Sequence, residues 1–269
     1  PDPQFRITFP AMMNPKEIAN IDRTERDLWW YRGMREITFA LVDRAAPGWK
    51  PETILEAGAG TGYFAAILAE RMGGQVTALD LDEMGARLCG QRKGVKAVRG
   101  SMERLPFPDG HFDLTASMDV LVHFAEGEEK RPFEELVRVT RPGGLLLIRV
   151  SAFRILRSRH SQFAWERQRF TPARLARLAE EAGVEIVSLT CANTLLSPVA
   201  LFKFRIWEPL LRTPPASGVT PLPWPLEPLF YRALALEARL LGNGMRFPFG
   251  QSLFLIGRKR ESVRMAQES

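Results

Sequence analysis

The chain has 269 residues, of which 45% are hydrophobic and 25% are charged. This composition is typical of a globular protein that builds its own core, and it excludes a predominantly disordered chain. The net charge of +6 comes from 37 basic against 31 acidic residues. That excess is small, so we expect no nucleic-acid partner.

Two further features concern the compartment in which the protein works. Cys89 and Cys191 lie far apart in the sequence and form no disulfide framework, which predicts reduced thiols and a cytoplasmic location. The first residues lack the charged and then apolar pattern of a signal peptide. No apolar run approaches the roughly 18 residues that a membrane span needs, so we expect no transmembrane segment.

The first elements along the chain are predicted to be helical. Residues 1–50 form an N-terminal helical cap in this interpretation, because residues 16–45 carry apolar residues at helical spacing and end at Pro47-Gly48. From residue 51 short apolar runs alternate with helical segments, which predicts an α/β fold with a mostly parallel sheet. The seven predicted strands are TILEAG, QVTALD, VKAVRG, FDLTASMD, LLLIRV, EIVSLT and SLFLIGRK.

The predicted helices between the strands end at glycines. The clearest one is FTPARLARLAEEAG, with Thr171 as its N-cap, Pro172 in its first turn and Gly183 at its end. The helix EEKRPFEELVRVT is predicted to end at the sequence Pro142-Gly143-Gly144. We divide the chain into the cap (1–50), an α/β core (51–192), an insertion (193–249), the last strand of the core (250–260) and a polar tail (261–269).

The stretch EAGAGTG, residues 56–62, follows the first predicted strand. Glycines at alternate positions allow a tight turn from strand to helix and a close approach of the backbone to a ligand. A phosphate loop would continue with Lys and Ser or Thr, whereas Gly62 is followed by Tyr63. The G-x-G-x-G spacing also differs from the G-x-G-x-x-G fingerprint of dinucleotide sites, although the physical need is similar.

Asp80 ends the second predicted strand. A carboxylate at this place can accept hydrogen bonds from both hydroxyls of a ribose. The structural alternative is that Asp80 caps the helix that follows. Two further motifs come later in the chain, GSMERLPFPDGHFDL after the third strand and RVTRPGGLLLIRV before the fifth.

With these four motifs in this order, residues 50–190 resemble the class I S-adenosylmethionine-dependent methyltransferases. The closest resemblance is to a broad bacterial group whose third-strand motif reads like G-D-A-x-x-L-P-F. The resemblance implies a Rossmann-like, doubly wound, mostly parallel seven-stranded sheet. It also implies S-adenosyl-L-methionine as the cofactor, S-adenosyl-L-homocysteine as the product and no metal.

The resemblance implies a role for each residue that matches the family pattern. The methionine part of the cofactor is expected to contact Glu56 and the backbone of Gly58, Ala59 and Gly60. The ribose is expected on Asp80 and the adenine against Leu81. The adenine edge is expected to meet Ser101, Met102 and Glu103 through a side chain and a backbone N–H. Ser101 stands where the family usually has Asp, which predicts a weaker contact than a carboxylate makes.

Related bacterial enzymes often cover the cofactor cleft with an aromatic and arginine-bearing helix. The stretch RDLWWYRGMRE is similar, so we expect Tyr31 and Arg32 near the carboxylate of the cofactor. The alternative is an aromatic packing stripe with exposed arginines. Asp119, at the end of the fourth strand, matches the place where such enzymes hold groups near the reacting methyl. His123 is predicted to lie in a helix, either as a catalytic base or as a packing residue.

Methyl transfer from a sulfonium is an in-line displacement, which requires alignment of the reacting atoms. The stretch SMDVLVHF stands where many DNA and protein amide methyltransferases have Asn/Asp-Pro-Pro-Tyr/Phe. The resemblance therefore favours a small-molecule or lipid-like acceptor, as in secondary metabolism, with the methylated O, N or C atom open. The alternatives are an NAD(P)-dependent oxidoreductase and a non-catalytic S-adenosylmethionine-binding protein.

The insertion at 193–249 is predicted to contain two apolar helices, PVALFKFRIWEPLLR and PLFYRALALEARLL, joined by a proline-rich segment. Four interpretations stay open: a lid over an apolar acceptor, a dimer surface, an amphipathic membrane contact, and helices that pack on the core. Among the first three we favour the lid. The seven arginines between Arg149 and Arg174 are either a solvated face or a site for an acidic acceptor. The sequence does not distinguish a monomer from a homodimer.

Overall fold

The computed structural model describes residues 13–212 and 214–261. The first 12 residues of the predicted cap and the predicted polar tail from residue 262 lie outside the described residues. The helices are α1 (Pro15–Thr24), α2 (Trp29–Ala45), α3 (Tyr63–Met72), α4 (Glu83–Gly90), α5 (Lys130–Val139), α6 (Arg159–Phe163), α7 (Pro172–Glu181), α8 (Ser197–Phe202), α9 (Glu208–Leu211) and α10 (Leu226–Gly242). The strands are β1 (Thr53–Ala57), β2 (Gln75–Asp80), β3 (Val95–Arg99), β4 (Phe112–Met118), β5 (Thr140–Ser151), β6 (Val184–Ala192) and β7 (Ser252–Lys259).

Within the described residues, seven strands form one sheet in the order β3-β2-β1-β4-β5-β7-β6. All neighbours are parallel except β7, which runs antiparallel to both β5 and β6. The predicted α/β fold is therefore confirmed. The chain order reverses between β1 and β4, and in such sheets ligands bind at the carboxyl ends of the strands beside this switch point.

The sheet is covered by helices on both faces, which is why its central strands are apolar on both sides. One face packs against α5 and α7 through residues such as Phe133 and Leu175. The other face packs against α2, α3 and α10, where Met34, Leu68 and Leu234 are fully buried. The core is therefore continuous between the sheet and two layers of helices.

The predicted helix ends agree with the structure in one case and differ in another. The Oγ1 of Thr171 accepts a hydrogen bond from the backbone N of Arg174 at 3.3 Å, as expected of an N-cap. The helix before β5 ends at Val139, ahead of the Pro142-Gly143-Gly144 sequence that was expected to end it. Extended backbone begins at Thr140, and a register shift between β4 and β5 accommodates the extra residues.

The cap and the insertion meet through α2 and α10. A Cβ on Gly33, in the middle of α2, would lie 2.5 Å from Cδ1 of Leu234 in α10. The absence of a side chain at Gly33 is therefore what lets the two helices approach closely. This contact identifies α10 as a helix packed on the rest of the fold, which is one of the four interpretations of the insertion.

Among the described helices, none is both long enough and apolar enough to cross a membrane.

Candidate functional site

The glycine loop connects β1 to α3 at the switch point of the sheet. Gly58, Gly60 and Gly62 have φ values of 76°, 55° and 71°, which favour glycine. A Cβ on Gly58 would lie 2.9 Å from Cγ1 of Val120, and one on Gly62 would lie 2.7 Å from Cα of Cys89. Both the conformation and the space therefore require glycine at these two positions.

Asp80 at the end of β2 holds this loop. Its Oδ2 accepts a hydrogen bond from the backbone N of Gly60 at 2.7 Å, and its Oδ1 accepts one from the backbone N of Asp82 at 2.9 Å. Burial raises the pKa of the Asp80 carboxyl to about 6. The N-cap of α4 is Asp82, whose carboxylate accepts from Met84 N at 2.8 Å, so the alternative role considered for Asp80 belongs to its neighbour.

Glu56, in β1, is buried directly before the loop. Its Oε2 has no hydrogen-bond partner among the described residues. Burial, and next the negative charge of Glu25, raise the pKa of the Glu56 carboxyl well above its usual range. A buried carboxylate in this state is costly unless a cation or a strong donor pairs with it. The site is therefore suited to a positively charged ligand group.

Glu25 joins the cap to the glycine loop. It lies directly after α1, and its two carboxylate oxygens accept hydrogen bonds from the Thr61 hydroxyl at 2.6 and 2.7 Å. Arg92 donates to the backbone O of Thr61 at 2.9 Å and forms an ion pair with Glu25 at 3.2 Å. Burial raises the pKa of the Glu25 carboxyl to about 7. Sequence analysis missed Glu25, because its position among charged residues of the cap does not set it apart.

Tyr31 and Arg32 take different places although they are consecutive. Tyr31 is half-buried, and its ring lies 4.9 Å from the ring of Trp30. Burial, followed by the charges of Glu25 and Glu17, raises the pKa of the Tyr31 hydroxyl. Arg32 is exposed, and its guanidinium lies 4.1 Å from the centre of the Tyr231 ring in α10. The structure therefore does not bring Arg32 to the glycine loop, since successive helical residues point about 100° apart.

The loop after β3 lies beside Asp80, since Gly100 N donates to Asp80 O at 3.0 Å. Ser101 accepts a hydrogen bond from the backbone N of Glu103 on its hydroxyl at 3.2 Å. The Met102 side chain is buried, with its sulfur 3.9 Å from the Ser117 hydroxyl, so only its backbone can face a ligand. Leu81 is half-buried directly after Asp80.

Backbone strain marks the carboxyl edge of the sheet. Asp119, Phe153 and Asn193 have φ values of 58°, 51° and 57°, which are unfavourable for residues other than glycine. They follow β4, β5 and β6, three strands that run in the same direction, so the three strained residues lie along one edge. Such strain persists where the surrounding structure requires it and often marks functional sites.

Polar and aromatic groups line this edge. Asp119 Oδ2 pairs with Nε and a terminal nitrogen of Arg149 at 2.8 and 2.7 Å, and the guanidinium lies 5.1 Å from the centre of the Trp30 ring. The rings of Phe153 and Phe249 stack at 4.9 Å. The edge therefore combines an internally neutralised ion pair with apolar surfaces.

His123 ends a 3₁₀ turn at Leu121–His123 and does not lie in the α-helix that was predicted. Its Nδ1 is 3.4 Å from the backbone O of Trp165. Burial lowers the pKa of the His123 imidazole. The ring is therefore neutral at neutral pH and has one nitrogen that can accept a proton.

Comparison with known proteins concerns the α/β core. Residues 55–148 match a family model described as a methyltransferase domain. An uncharacterized methyltransferase of Mycolicibacterium gilvum is 34% identical over 53% of this chain and 58% of its own length. A probable S-adenosylmethionine-dependent methyltransferase of Mycobacterium tuberculosis is 28% identical over 54% of this chain and 51% of its own length. The chain therefore spans somewhat more than half the length of these curated relatives.

Among solved structures, the chain is similar to a geranyl diphosphate C-methyltransferase of Streptomyces coelicolor in complex with geranyl diphosphate and S-adenosyl-L-homocysteine. The TM-score is 0.54 at 15% identity, over 82% of this chain and 78% of that one. This likeness shows a shared fold. Residues 55–148 therefore match a methyltransferase domain, in agreement with the resemblance to S-adenosylmethionine-dependent methyltransferases that the sequence motifs indicated.

The residues of this methyltransferase core fit the cofactor of the family, S-adenosylmethionine. The unpartnered carboxylate oxygen of Glu56 suits the ammonium group of the methionine part. A side chain at Gly58 would collide with Val120, so the strand-to-helix turn keeps its shape only with glycine there. Without a side chain, the backbone of the turn is also open to close approach by a ligand. Asp80 uses one contact on each oxygen, and each carboxylate oxygen has a further lone pair for a ribose hydroxyl.

The motif LPFPDGHFDL of the methyltransferase core is held by α5. Arg138 donates to the backbone O of Leu105 at 3.0 Å and of Phe107 at 2.9 Å, and it pairs with Asp109 at 2.6 Å. Glu135 pairs with Arg138 and accepts from Leu105 N at 2.7 Å. The motif therefore depends on an Arg–Glu pair three residues apart in α5, which sequence analysis did not select.

The arginines between 149 and 174 are not a free basic face. Six of the seven donate to carboxylates or carbonyl oxygens: Arg149 to Asp119, Arg154 to Glu126, Arg157 to the backbone O of Glu166, Arg167 to Glu128, Arg169 to Glu166 and Arg174 to Glu129. Acidic residues from neighbouring elements neutralise most of the stretch. Arg154, Arg157 and Arg167 are exposed to solvent, and Arg149 lies at the carboxyl edge of the sheet in its pair with Asp119.

Proposed function

We propose that this chain transfers the methyl group of S-adenosylmethionine to a small, rather apolar acceptor molecule. The observation that carries the proposal is the unpartnered buried carboxylate of Glu56 beside the glycine loop. Glu25 and Asp80 add two further carboxylates near it. Such a cleft attracts a cofactor that carries an ammonium and a sulfonium, and it repels the pyrophosphate of NAD(P).

The chain's own residues supply binding and alignment. When bound, S-adenosylmethionine supplies an activated methyl group. In our proposal Glu56 and the backbone of the glycine loop hold its methionine part, and Asp80 holds the ribose. Tyr31 closes the cleft from the cap. Fixing the cofactor in this way lowers the barrier by holding the reacting atoms in line.

The acceptor is proposed to lie at the carboxyl edge of the sheet, against the stacked rings of Phe153 and Phe249. The Asp119–Arg149 pair positions it, and His123 accepts a proton if the acceptor atom loses one. A neutral imidazole is ready for this role at neutral pH because burial lowers the pKa of His123. Whether the methylated atom is O, N or C is determined by identifying the methylated product.

Calorimetric titration tests the cofactor assignment. We expect binding of S-adenosylmethionine and S-adenosyl-L-homocysteine but not of NAD. Asp80→Ala should weaken binding about 100-fold, because it removes a buried carboxylate that accepts two backbone hydrogen bonds. The matched control is Asp82→Ala, which removes the N-cap of α4 and should cost about 1 kcal/mol of stability without such a loss of affinity. Binding of NAD alone would overturn the proposal.

Transfer itself is tested with radiolabelled S-adenosylmethionine and an extract of small molecules and lipids, followed by mass identification of the labelled product. His123→Ala should slow turnover far more than it weakens cofactor binding. Equal losses would assign His123 to packing. Cofactor binding without transfer to any acceptor would favour a non-catalytic role.

We also propose a cytoplasmic protein of secondary metabolism. Buried Cys89 and Cys191 are free thiols, which suits a reducing compartment. Fractionation of cells with an antibody against the chain tests the compartment.

A further inference from the structure

Residues 195–212, here named the apolar segment, expose most of their large apolar side chains. The segment comprises the end of the β6–α8 loop, α8, a π-helical turn at Lys203–Trp207 and α9. The exposed fractions reach 72% for Leu210, 55% for Ile206 and 53% for Phe202. The full set of large apolar residues exposed here is Leu195, Val199, Phe202, Ile206, Trp207, Leu210 and Leu211.

The fully buried residues of the segment are small or polar, while Leu196, Leu201 and Phe204 are half-buried and Leu196 packs against the core. The fully buried residues are Ser197, Ala200 and Glu208. The Ser197 hydroxyl donates to the backbone O of Asn193 at 2.8 Å, and Glu208 Oε2 accepts from the backbone N of Arg159 at 3.0 Å. A helix that packs on its own core has the opposite arrangement. Seven large apolar side chains of the segment therefore lie outside the core, which leaves an apolar outer surface.

Charge is also distributed unevenly over the segment. Lys203, Arg205 and Arg212 are exposed, and none of them forms an ion pair within the part of the chain that the structure describes. Glu208 is the one acidic residue in the sequence of the segment and lies on the buried side. The outer surface is thus apolar and cationic, with Trp207 on it, which are the features of helices that lie in a bilayer interface.

We propose that the apolar segment docks the protein onto the surface of an anionic lipid bilayer. The apolar side chains would enter the boundary between headgroups and acyl chains, and Lys203 and Arg212 would face anionic lipid headgroups. A second copy of the chain fits less well, because a two-fold interface on this surface would place the same cations against one another.

The docked orientation has a consequence for the acceptor. Arg205 donates to the backbone O of Ile155 at 2.7 Å and of Arg154 at 3.0 Å. These residues closely follow Phe153 at the carboxyl edge, and Ile155 is itself 52% exposed. Docking therefore turns the acceptor side of the cleft toward the bilayer, so the acceptor is a lipid-soluble molecule taken from the membrane. This consequence rests on the proposed function, whereas docking does not.

Vesicle flotation of the full chain tests the docking. We expect flotation with vesicles of phosphatidylcholine mixed with phosphatidylglycerol, weaker flotation with phosphatidylcholine alone, and a decrease as salt is added. The double variant Ile206→Ser/Leu210→Ser should bind anionic vesicles about tenfold less tightly or worse. The matched control is Leu229→Ser/Leu236→Ser, which removes two exposed leucines of α10 and should bind like the unchanged protein.

A second pair of variants tests the electrostatic contribution to the binding of anionic vesicles. Lys203→Glu/Arg212→Glu should weaken binding about thirtyfold or more, because two cations near the surface are lost and two negative charges replace them. Lys93→Glu/Lys96→Glu changes the net charge equally on exposed lysines of another region and should have a small effect. Circular dichroism and calorimetry with S-adenosylmethionine on every variant separate a failure of docking from a failure of folding or of the cofactor assignment.

Three outcomes would overturn the proposal. The first is equal flotation of the unchanged protein and Ile206→Ser/Leu210→Ser, and the second is no flotation with anionic vesicles. The third is a dimer in analytical ultracentrifugation that Ile206→Ser/Leu210→Ser dissociates, which would assign the surface to a second copy.

Discussion

The α/β core and the apolar segment use similar side chains in opposite ways. In the core, Leu147 and its neighbours on β5 are completely buried, and carboxylates collect at the carboxyl edge of the sheet. In the apolar segment Leu210 and Ile206 face outward, while Glu208 is buried. The hydrophobic effect holds the first region together, whereas polar contacts hold the second in place. The apolar segment therefore contributes little to the stability of the fold, and its exposed side chains are available to bind a partner surface.

Shortening one leucine in each region tests most directly whether the two regions differ in their contribution to stability. Leu147→Ala should lower the free energy of unfolding by about 3 kcal/mol, because it leaves a cavity in a packed core. Leu210→Ala should change it by less than about 0.5 kcal/mol, as exposed substitutions usually do. Urea denaturation measures both. A loss of similar size for Leu210→Ala would show that the segment contributes to the core.

A second prediction concerns α10, the part of the insertion that does pack on the fold. Gly33→Ala should lower the free energy of unfolding by about 2 kcal/mol, because the new Cβ overlaps Leu234. Gly242→Ala is the matched control, since its Cβ would meet Ala40 at an ordinary 3.5 Å. Thermal unfolding compares them. If Gly33→Ala were as stable as the control, α10 would not be packed on α2 as described.

Glu56 should show that binding and stability oppose each other in the cleft. Glu56→Gln replaces a buried carboxyl, whose raised pKa opposes folding at neutral pH, with a neutral amide, so the free energy of unfolding should rise by about 1 kcal/mol. Affinity for S-adenosylmethionine should fall about tenfold, since a charge-assisted contact is lost. Denaturation and calorimetry report the two effects. The control Asp43→Asn alters an exposed carboxylate paired with Arg71 and should change neither. A parallel loss of both would contradict a ligand role for Glu56.

The smallest expected effect is a pH dependence that comes from Glu25. Burial raises the pKa of its carboxyl from 4.5 to about 7, so the free protein loses stability as pH rises between these values, where the unfolded chain ionises first. A cationic ligand favours the ionised form. Affinity for S-adenosylmethionine should therefore rise about threefold to tenfold as pH increases through 7. Calorimetry from pH 5.5 to 8 measures this rise.

Glu25→Gln is the control for the pH dependence. It keeps an acceptor for the Thr61 hydroxyl and cannot ionise, so the rise in affinity should largely disappear. A rise that persists unchanged in Glu25→Gln would assign the titration to another group of the cleft.

The sequence predicted the parts of the site that lie on regular elements. The loop at 56–62 and Asp80 follow consecutive strands, and parallel strands bring their carboxyl ends to one edge. It could not predict Glu25 or the Arg138–Glu135 pair, because these residues act through contacts between elements. It also misplaced Arg32, since the side of a helix that faces a cleft depends on how the helix packs.

The sequence alone was enough to predict the order of strands and helices, the glycine loop and the resemblance to methyltransferases, since these depend on local patterns of apolar residues, glycines and caps. Only the tertiary structure decided which residues of the insertion are buried. Both predicted helices there are apolar, and periodicity does not say whether an apolar side meets the protein or faces outward. Packing decided that α10 lies on α2 through Gly33 and that residues 195–212 keep their apolar side free.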